Sequence, residues 1–448
     1  MFAVLAGWLV VDSARAEREH GFLFAGGKIN QVLPNDEILR LAKENQYEIF
    51  DYRDQVVCPG FVNSHMHQYG VLSHGMTPKI TIRNFESFLE DYWWPDLENK
   101  VSLKHVLATT FYTAMESLES GVVSIFDVLE APLAEEGVLI EQGKVLEKMG
   151  MRAIVSLESS ERISSDNGRR CLSENKGAIR YFQENSRLIR GAVSAHTTFS
   201  CSDSFIEEAV MTAKGEDAIF HFHLSESSFE PDVLKSRRQV LPAELYCRLG
   251  ALYDRTLASQ CVKVNEKEIE LLAKTNTCVS HMPISNCEVG GGIAPVPKML
   301  DAGIPVGLGS DGYVNDFFSV MRAAFLIHKA HLESTTVMPA RLVFKMATEM
   351  GARCMGYHGG TLNEGAAADF IVMADLWPTE ITRDNIYDQI VVYGKKEFIK
   401  HVFIAGNMVY NSDKNNDQMR RTTLQQLKLM SHERSEEHTS ELQSPTSI

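Results

Sequence analysis

Several common signatures are missing from this chain of 448 residues. No Cys-x-x-Cys pair occurs among its eight cysteines. Their wide spacing gives no dense disulfide framework, and they read as reduced, mostly buried thiols of a cytosolic protein. Positive charge is in short supply: 44 Lys and Arg against 59 Asp and Glu leave a formal net charge of -15. A face built to neutralise phosphates is therefore not expected, and nucleic acid is excluded as a partner. No apolar run is long enough to span a bilayer. No Gly-x-Gly-x-x-Gly loop follows the first strand-like run, which disfavours a dinucleotide-dependent dehydrogenase, and Gly290-Gly291-Gly292 lacks the Lys and helix start of a phosphate-binding loop.

What is present is ordinary in bulk and specific in pattern. A hydrophobic fraction of 44% and a charged fraction of 23% describe a globular chain able to bury a large core. The N-terminal run Phe2 to Val11, followed by Ala14-Arg15-Ala16, imitates a cleavable leader, but no basic stretch precedes it and the chain runs straight on into Gly21 to Gly27. Two short strands are the expectation there. The stretch Arg434 to Ser444 looks like translated sequencing-library adapter, so the natural sequence is expected to diverge near Glu433.

Short apolar runs alternate with helical patterns through the middle of the chain, the mark of βα units and a parallel sheet. The runs are Val57–Asn63, Val122–Phe126, Ala153–Leu157, Ala192–Ala195, Ala218–His223, Leu257–Val262, Thr277–His281 and Pro305–Gly309. Helix-like segments include Glu207–Ala213, Glu266–Ala273 and Val320–Lys329. Eight such runs predict a (β/α)8 TIM-type barrel rather than an open sheet. Further strands are expected over 369–373, 390–393 and 402–410. The α/β fold predicted is thus a barrel over 57–360 with a small composite β-sandwich domain from both chain ends, 1–56 plus 361–412. A C-terminal helix over 413–433 and a non-native tail over 434–448 complete the division.

His65 and His67 share a face if they lie on one strand, because side chains alternate with a period of two. Two imidazoles side by side can hold one divalent cation. Alone the pair says little, but further polar residues fall at later strand ends, where barrel enzymes place their sites. The fifth run ends His221-Phe222-His223-Leu224-Ser225-Glu226 and the eighth ends Ser310-Asp311-Gly312. His65, His67, one histidine of the fifth strand and Asp311 would make a mononuclear site open to water, with Glu226 placed to carry protons.

These residues sit in four ordered motifs: Pro59 to His67, His223 with Glu226, Val279 to Asn286, and Val306 to Gly312. Together they resemble the amidohydrolase superfamily over roughly residues 1–412, in the deaminase and chlorohydrolase (ATZ/TRZ-like) branch. Trp93-Trp94 and the stretch from Phe50 to His67 are similar to SsnA-type aminohydrolases. The resemblance implies His65, His67, His223 and Asp311 as ligands of one divalent metal ion, zinc first, with iron and manganese as alternatives. It implies Asp311 and Glu226 as the catalytic proton carriers, and His196 as a substrate contact on the fourth strand. His221 competes with His223 for the ligand role, and the His-x-x-Glu spacing of the family matches His223.

One position departs from the family pattern. The sixth strand ordinarily carries a histidine where this chain has Gln260, expected to meet the substrate. An amide can donate or accept a hydrogen bond but cannot take a proton near neutral pH. The implied function is a cytoplasmic metal-dependent hydrolase that deaminates a small heterocyclic amine (purine, pyrimidine, pterin or triazine-like) with a metal-activated water. The alternatives are cyclic-amide or halide hydrolysis in the same site, or a metal-binding pseudoenzyme created by Gln260. Expected partners are a small-molecule substrate and a second copy of the chain in a homodimer, with no membrane. His281 reads as structural, while His74 and Trp93-Trp94 read as core or as lining for a planar substrate.

Overall fold

The computed structural model describes residues 1–74, 76, 78, 80–414 and 420–430. Its centre is a closed barrel of parallel strands in eight positions. In order these are Phe61–Met66, Val122–Leu129, Arg152–Ser159, Val193–Ala195, Phe220–Leu224, Thr256–Gln260, Cys278–His281 and Val306–Leu308. The short strand Ile189–Gly191 leads into the fourth position and also pairs with the third. Closure comes through Leu308 paired with Asn63. These strands read as continuous apolar runs because both faces are covered; all eight residues of Val122–Leu129 are buried. The helices Asp203–Gly215, Glu266–Lys274 and Phe317–His331 contain the three segments with clear helical periodicity.

The two chain ends meet in one mixed sheet. Its order is Asn407–Asn411, Ile399–Ile404, Phe370–Ala374, Glu48–Pro59, Phe2–Val10, His20–Ala25 and Lys28–Pro34, with Ala16–Arg18 pairing Phe2–Val10. Phe370 and Phe403 stack at 4.3 Å in its core, and Phe22 meets Phe370 edge-on at 5.1 Å. Arg152 at the base of the third barrel strand ties the two parts together. It grips Asp369 with two hydrogen bonds of 2.7 and 3.0 Å, while Asp369 also accepts from the Ala405 amide at 2.7 Å. Such a fork-to-fork pair fixes orientation as well as adding energy.

Three of the expected strands differ from the structure; the run 402–410 is a hairpin, Ile399–Ile404 and Asn407–Asn411, turning at Ala405-Gly406. The run Val57–Asn63 is not one strand: Val57 to Pro59 end the sheet strand Glu48–Pro59, and the barrel strand begins at Phe61. Gly60 marks the change of direction, since a Cβ there would lie 2.1 Å from Val123 Cγ1. The run Ile390 to Tyr393 is a π-helical turn, Gln389–Tyr393, instead of a strand. Ile390 and Val391 are fully buried, and a short buried apolar run has the same pattern in either conformation. Residues 420–430 are helical, and Ser412–Lys414 form a 3-10 turn. The rest of the expected C-terminal helix and the whole of 434–448 lie outside the described residues. Among the described residues no helix is long and apolar enough to cross a membrane.

Candidate metal and active site

The barrel strands deliver their polar ends to one point. His65 and His67 leave the end of the first strand, with rings edge-to-face at 4.7 Å. His223, from the fifth strand, stands 5.1 Å from the His65 ring and 5.5 Å from the His67 ring. Ligand-type atoms of these three histidines lie within 4.8 Å of one another. Asp311, just past the eighth strand, brings Oδ1 to 3.3 Å from His67 Nε2. Its backbone is locked against the first strand: the Asp311 amide donates to the His65 carbonyl at 3.2 Å, and the His67 amide donates to that of Asp311.

The donor set fits a divalent cation. His67 Nδ1 lies 2.7 Å from the Val128 carbonyl, so Nδ1 is the donor and Nε2 is turned toward the cluster. An outer hydrogen bond of this kind commonly fixes the tautomer of a ligand histidine. His65 is fully buried, and neither of its ring nitrogens has a hydrogen-bond partner. An imidazole left so would cost stability with nothing to offset it, and an ion among the three rings removes that cost. Burial, with His67 beside it, pushes the His65 pKa well below its ordinary value, keeping it neutral and available as a ligand. Burial opposes charge on His67, but the Glu130 and Asp311 carboxylates outweigh it and raise its pKa. The same negative field favours any cation there.

Glu226 faces the same cavity. Burial raises its pKa well above the carboxylate range, and Asp311, Glu130 and Glu230 add to the shift. That direction favours its protonated form. Gln260, at the end of the sixth strand, donates from Nε2 to Asp311 Oδ2 at 2.8 Å, and the Asn286 side chain donates to Gln260 Oε1. His196 places Nδ1 2.8 Å from Ser200 Oγ; its pKa is lowered to about 3 by burial and the nearby His223. All seven residues singled out from the sequence, except His65, line one cavity. His65 lies beneath it as part of the histidine cluster.

Residues outside the expected set also reach this point. Glu130 and Glu158 follow or end the second and third barrel strands, and Oε1 of Glu130 is 3.9 Å from Nε2 of both His67 and His223. Tyr69 donates its hydroxyl to Glu130. A carboxylate at a barrel strand's C-terminal end is the signal that could have found both. His221 does not join the cluster: it stacks on His65 at 5.0 Å from below, with Nδ1 3.1 Å from Ser194 Oγ. His281 pairs with His328 at 3.2 Å between Nε2 atoms, away from the cavity. His74 lines an outer cleft and Trp94 packs on Arg162 and His196.

The inner cavity is small, about 40 Å³. Phe85, Phe88, Trp93, Val289 and Tyr313 border both it and an outer cleft of about 1320 Å³. Phe88 and Trp93 stack at 5.2 Å in this partition.

The profile of the amidohydrolase family matches residues 56–409. The chain belongs to the amidohydrolase family. It is 32% identical over 384 residues to a 5'-deoxyadenosine deaminase of Methanosarcina barkeri, covering 84% of this chain and 86% of the relative. Identity to a 5-methylthioadenosine/S-adenosylhomocysteine deaminase of Thermococcus sibiricus is 27% over 409 residues, 87% of this chain and 93% of the relative. Among solved structures, a zinc-bound adenosine deaminase from Xanthomonas campestris superposes with a TM-score of 0.85 at 21% identity, covering 96% of this chain and 98% of that one. The zinc complex of atrazine chlorohydrolase TrzN from Arthrobacter aurescens gives 0.82 at 19%, covering 95% and 100%. These structures share the fold. The chain is an aminohydrolase of this family, with a metal-binding histidine cluster at its centre.

Proposed function

We propose that the chain deaminates an adenine-containing nucleoside, using one divalent ion, zinc, held by His65, His67, His223 and Asp311. The observation that carries the metal assignment is His65, fully buried with both ring nitrogens unpartnered beside two more histidines. The substrate class rests on the curated relatives, several of which deaminate 5'-deoxyadenosine. Bound there, the ion supplies Lewis acidity that makes a water nucleophilic near neutral pH.

The protein's own groups do the rest. Asp311 sits beside His67 Nε2 and receives a proton from the attacking water. Glu226, held neutral, gives its proton to the ring nitrogen next to the carbon that carries the amino group. The ring carbon gains an oxygen and loses ammonia, so water and amine become carbonyl and ammonia with no other reactant. Gln260 holds Asp311 by a hydrogen bond and has no proton to move in this scheme. His196 borders the cavity where the ring would lie. Ammonia release over a panel of adenine nucleosides, free purines, pterins and triazines, with metal content measured on the same preparation, tests the proposal. No ammonia release from any member of the panel by metal-replete protein would overturn the deaminase reading, and protein that binds no divalent metal would overturn the mechanism.

A further inference from the structure

Glu226 and His196 border the cavity from two different loops, and one buried carboxylate outside the cavity grips both loops. Glu230 lies in the first turn of the helix Phe229–Arg238 and is only 3% exposed. Its Oε1 accepts from the Thr198 amide at 3.0 Å and from the Thr198 hydroxyl at 2.5 Å. Its Oε2 accepts from the Ser225 amide at 2.7 Å. Thr198 follows His196 in the loop after the fourth barrel strand, and Ser225 directly precedes Glu226 after the fifth.

A carboxylate in the first turn of a helix commonly serves that helix's own end. Glu230 does not. The Phe229 amide donates to Ser227 Oγ at 3.2 Å, and the Asp232 amide to the Ser228 carbonyl at 3.0 Å. Both Glu230 oxygens are left for groups outside the helix, and both must accept, because a backbone N–H can only donate. Direct pairing of the two strand ends runs as far as the His223 amide on the His196 carbonyl, at 3.0 Å. Beyond that point Glu230 takes over as the bridge.

The turn it grips needs holding. Ser225 has a φ of 49°, a left-handed conformation that a residue with a side chain keeps only where its surroundings fix it. The Lys263 amide donates to the Ser225 carbonyl at 2.9 Å. Behind Glu226 there is a wall: a Cβ on Gly291 would lie 2.4 Å from the Glu226 carbonyl oxygen. Of these restraints, the Glu230 carboxylate is the one shared with the His196 loop.

We propose that Glu230 is a positioning residue: its carboxylate clamps the two loops together and so sets where the Glu226 side chain meets the substrate. The inference rests on the reading of Glu226 as the proton carrier. Glu230→Gln keeps the volume but turns an NH2 toward one of the two backbone amides, so one grip is lost.

The test reads the clamp and the turnover separately. By hydrogen exchange on the full chain, the Thr198 and Ser225 amides should be protected in the wild type. Glu230→Gln should speed exchange over 196–201 and 223–227 while the barrel strands stay as slow as before. Unprotected amides in the wild type, no change in the variant, or faster exchange throughout the barrel would each overturn the clamp. Should Glu230→Gln fail to fold, Thr198→Val removes only the hydroxyl donor and should give the same pattern at smaller amplitude. In ammonia-release kinetics, Glu230→Gln should lower kcat about 10- to 100-fold, the scale of a misplaced reacting group, with KM and metal content near those of the wild type. In a Glu226→Gln background the same change should cost no more than about twofold, because nothing is left to place. Losses that multiply in the double variant would overturn the proposal. A wild type that releases no ammonia would overturn the deaminase reading instead, and the exchange arm would still decide the clamp.

Discussion

Gln260 holds Asp311 by a 2.8 Å hydrogen bond and is itself held by Asn286. The order of donation fixes the amide: its oxygen is occupied by Asn286, so its NH2 must face the carboxylate. Gln260 is thus a brace for the residue that meets both His67 and the cavity, and the histidine expected by family resemblance at this point has a replacement with one of its two abilities.

A neutral histidine at this position could also accept from Asn286 and donate to Asp311. Gln260→His is therefore expected to keep activity within about tenfold of wild type or to raise it, whereas Gln260→Ala should lower kcat about 10- to 100-fold. The latter range follows from losing a hydrogen bond to a charged group, worth roughly 1.5–3 kcal/mol. Steady-state kinetics on the best substrate of the panel measures both. An inert wild type that stays inert as Gln260→His would favour the metal-binding pseudoenzyme.

Glu226 is assigned proton transfer and no ligand bond. Glu226→Gln keeps the shape and removes the proton, so kcat should fall about 10²- to 10⁴-fold. Metal content should be unchanged. Loss of the metal from the Glu226→Gln variant would move Glu226 from proton carrier to ligand support.

Metal removal should loosen the barrel's end. An ion that binds only the folded chain stabilises it by RT ln(1 + [L]/Kd), about 2.7 kcal/mol at one hundred times Kd. Chelator-treated protein should therefore melt several degrees lower, and added Zn²⁺ should restore both melting temperature and activity. The same treatment should leave the melting point of His65→Ala nearly unmoved.

The His281–His328 pair gives a stability effect remote from the site. Burial lowers the His328 pKa to about 4 from 6.5 and drives that of His281 well down. The folded chain thus binds fewer protons there than the unfolded chain. That stability is complete above about pH 6.5 and is lost as the pH falls toward 4. Urea unfolding across this window should show a shallower pH slope in His328→Gln than in wild type.

Much of this was legible in the sequence, for reasons visible in particular residues. Fully buried parallel strands are continuous apolar runs, so Val122 to Leu129 and its counterparts stood out. Polar groups at strand ends put His223, Glu226 and Asp311 within reach of one reading. The Ile390 to Tyr393 turn was not legible, because burial without a long period fits strand and helix alike. Nor was the split at Gly60, which depends on Val123, a neighbour distant in sequence. Glu130 and Glu158 do not stand out in the sequence because single carboxylates after a strand are common, and only folding shows that they meet.

The partition at Phe88 and Trp93 has a thermodynamic consequence. A cavity of about 40 Å³ is too small for a purine ring, so a purine would enter only if the partition gave way. Were such an opening needed, apparent affinity would be intrinsic affinity scaled by the population of the opened state. Substitutions in an aromatic wall that never takes part in the chemistry can therefore tighten or weaken substrate binding by changing how often the chamber is accessible.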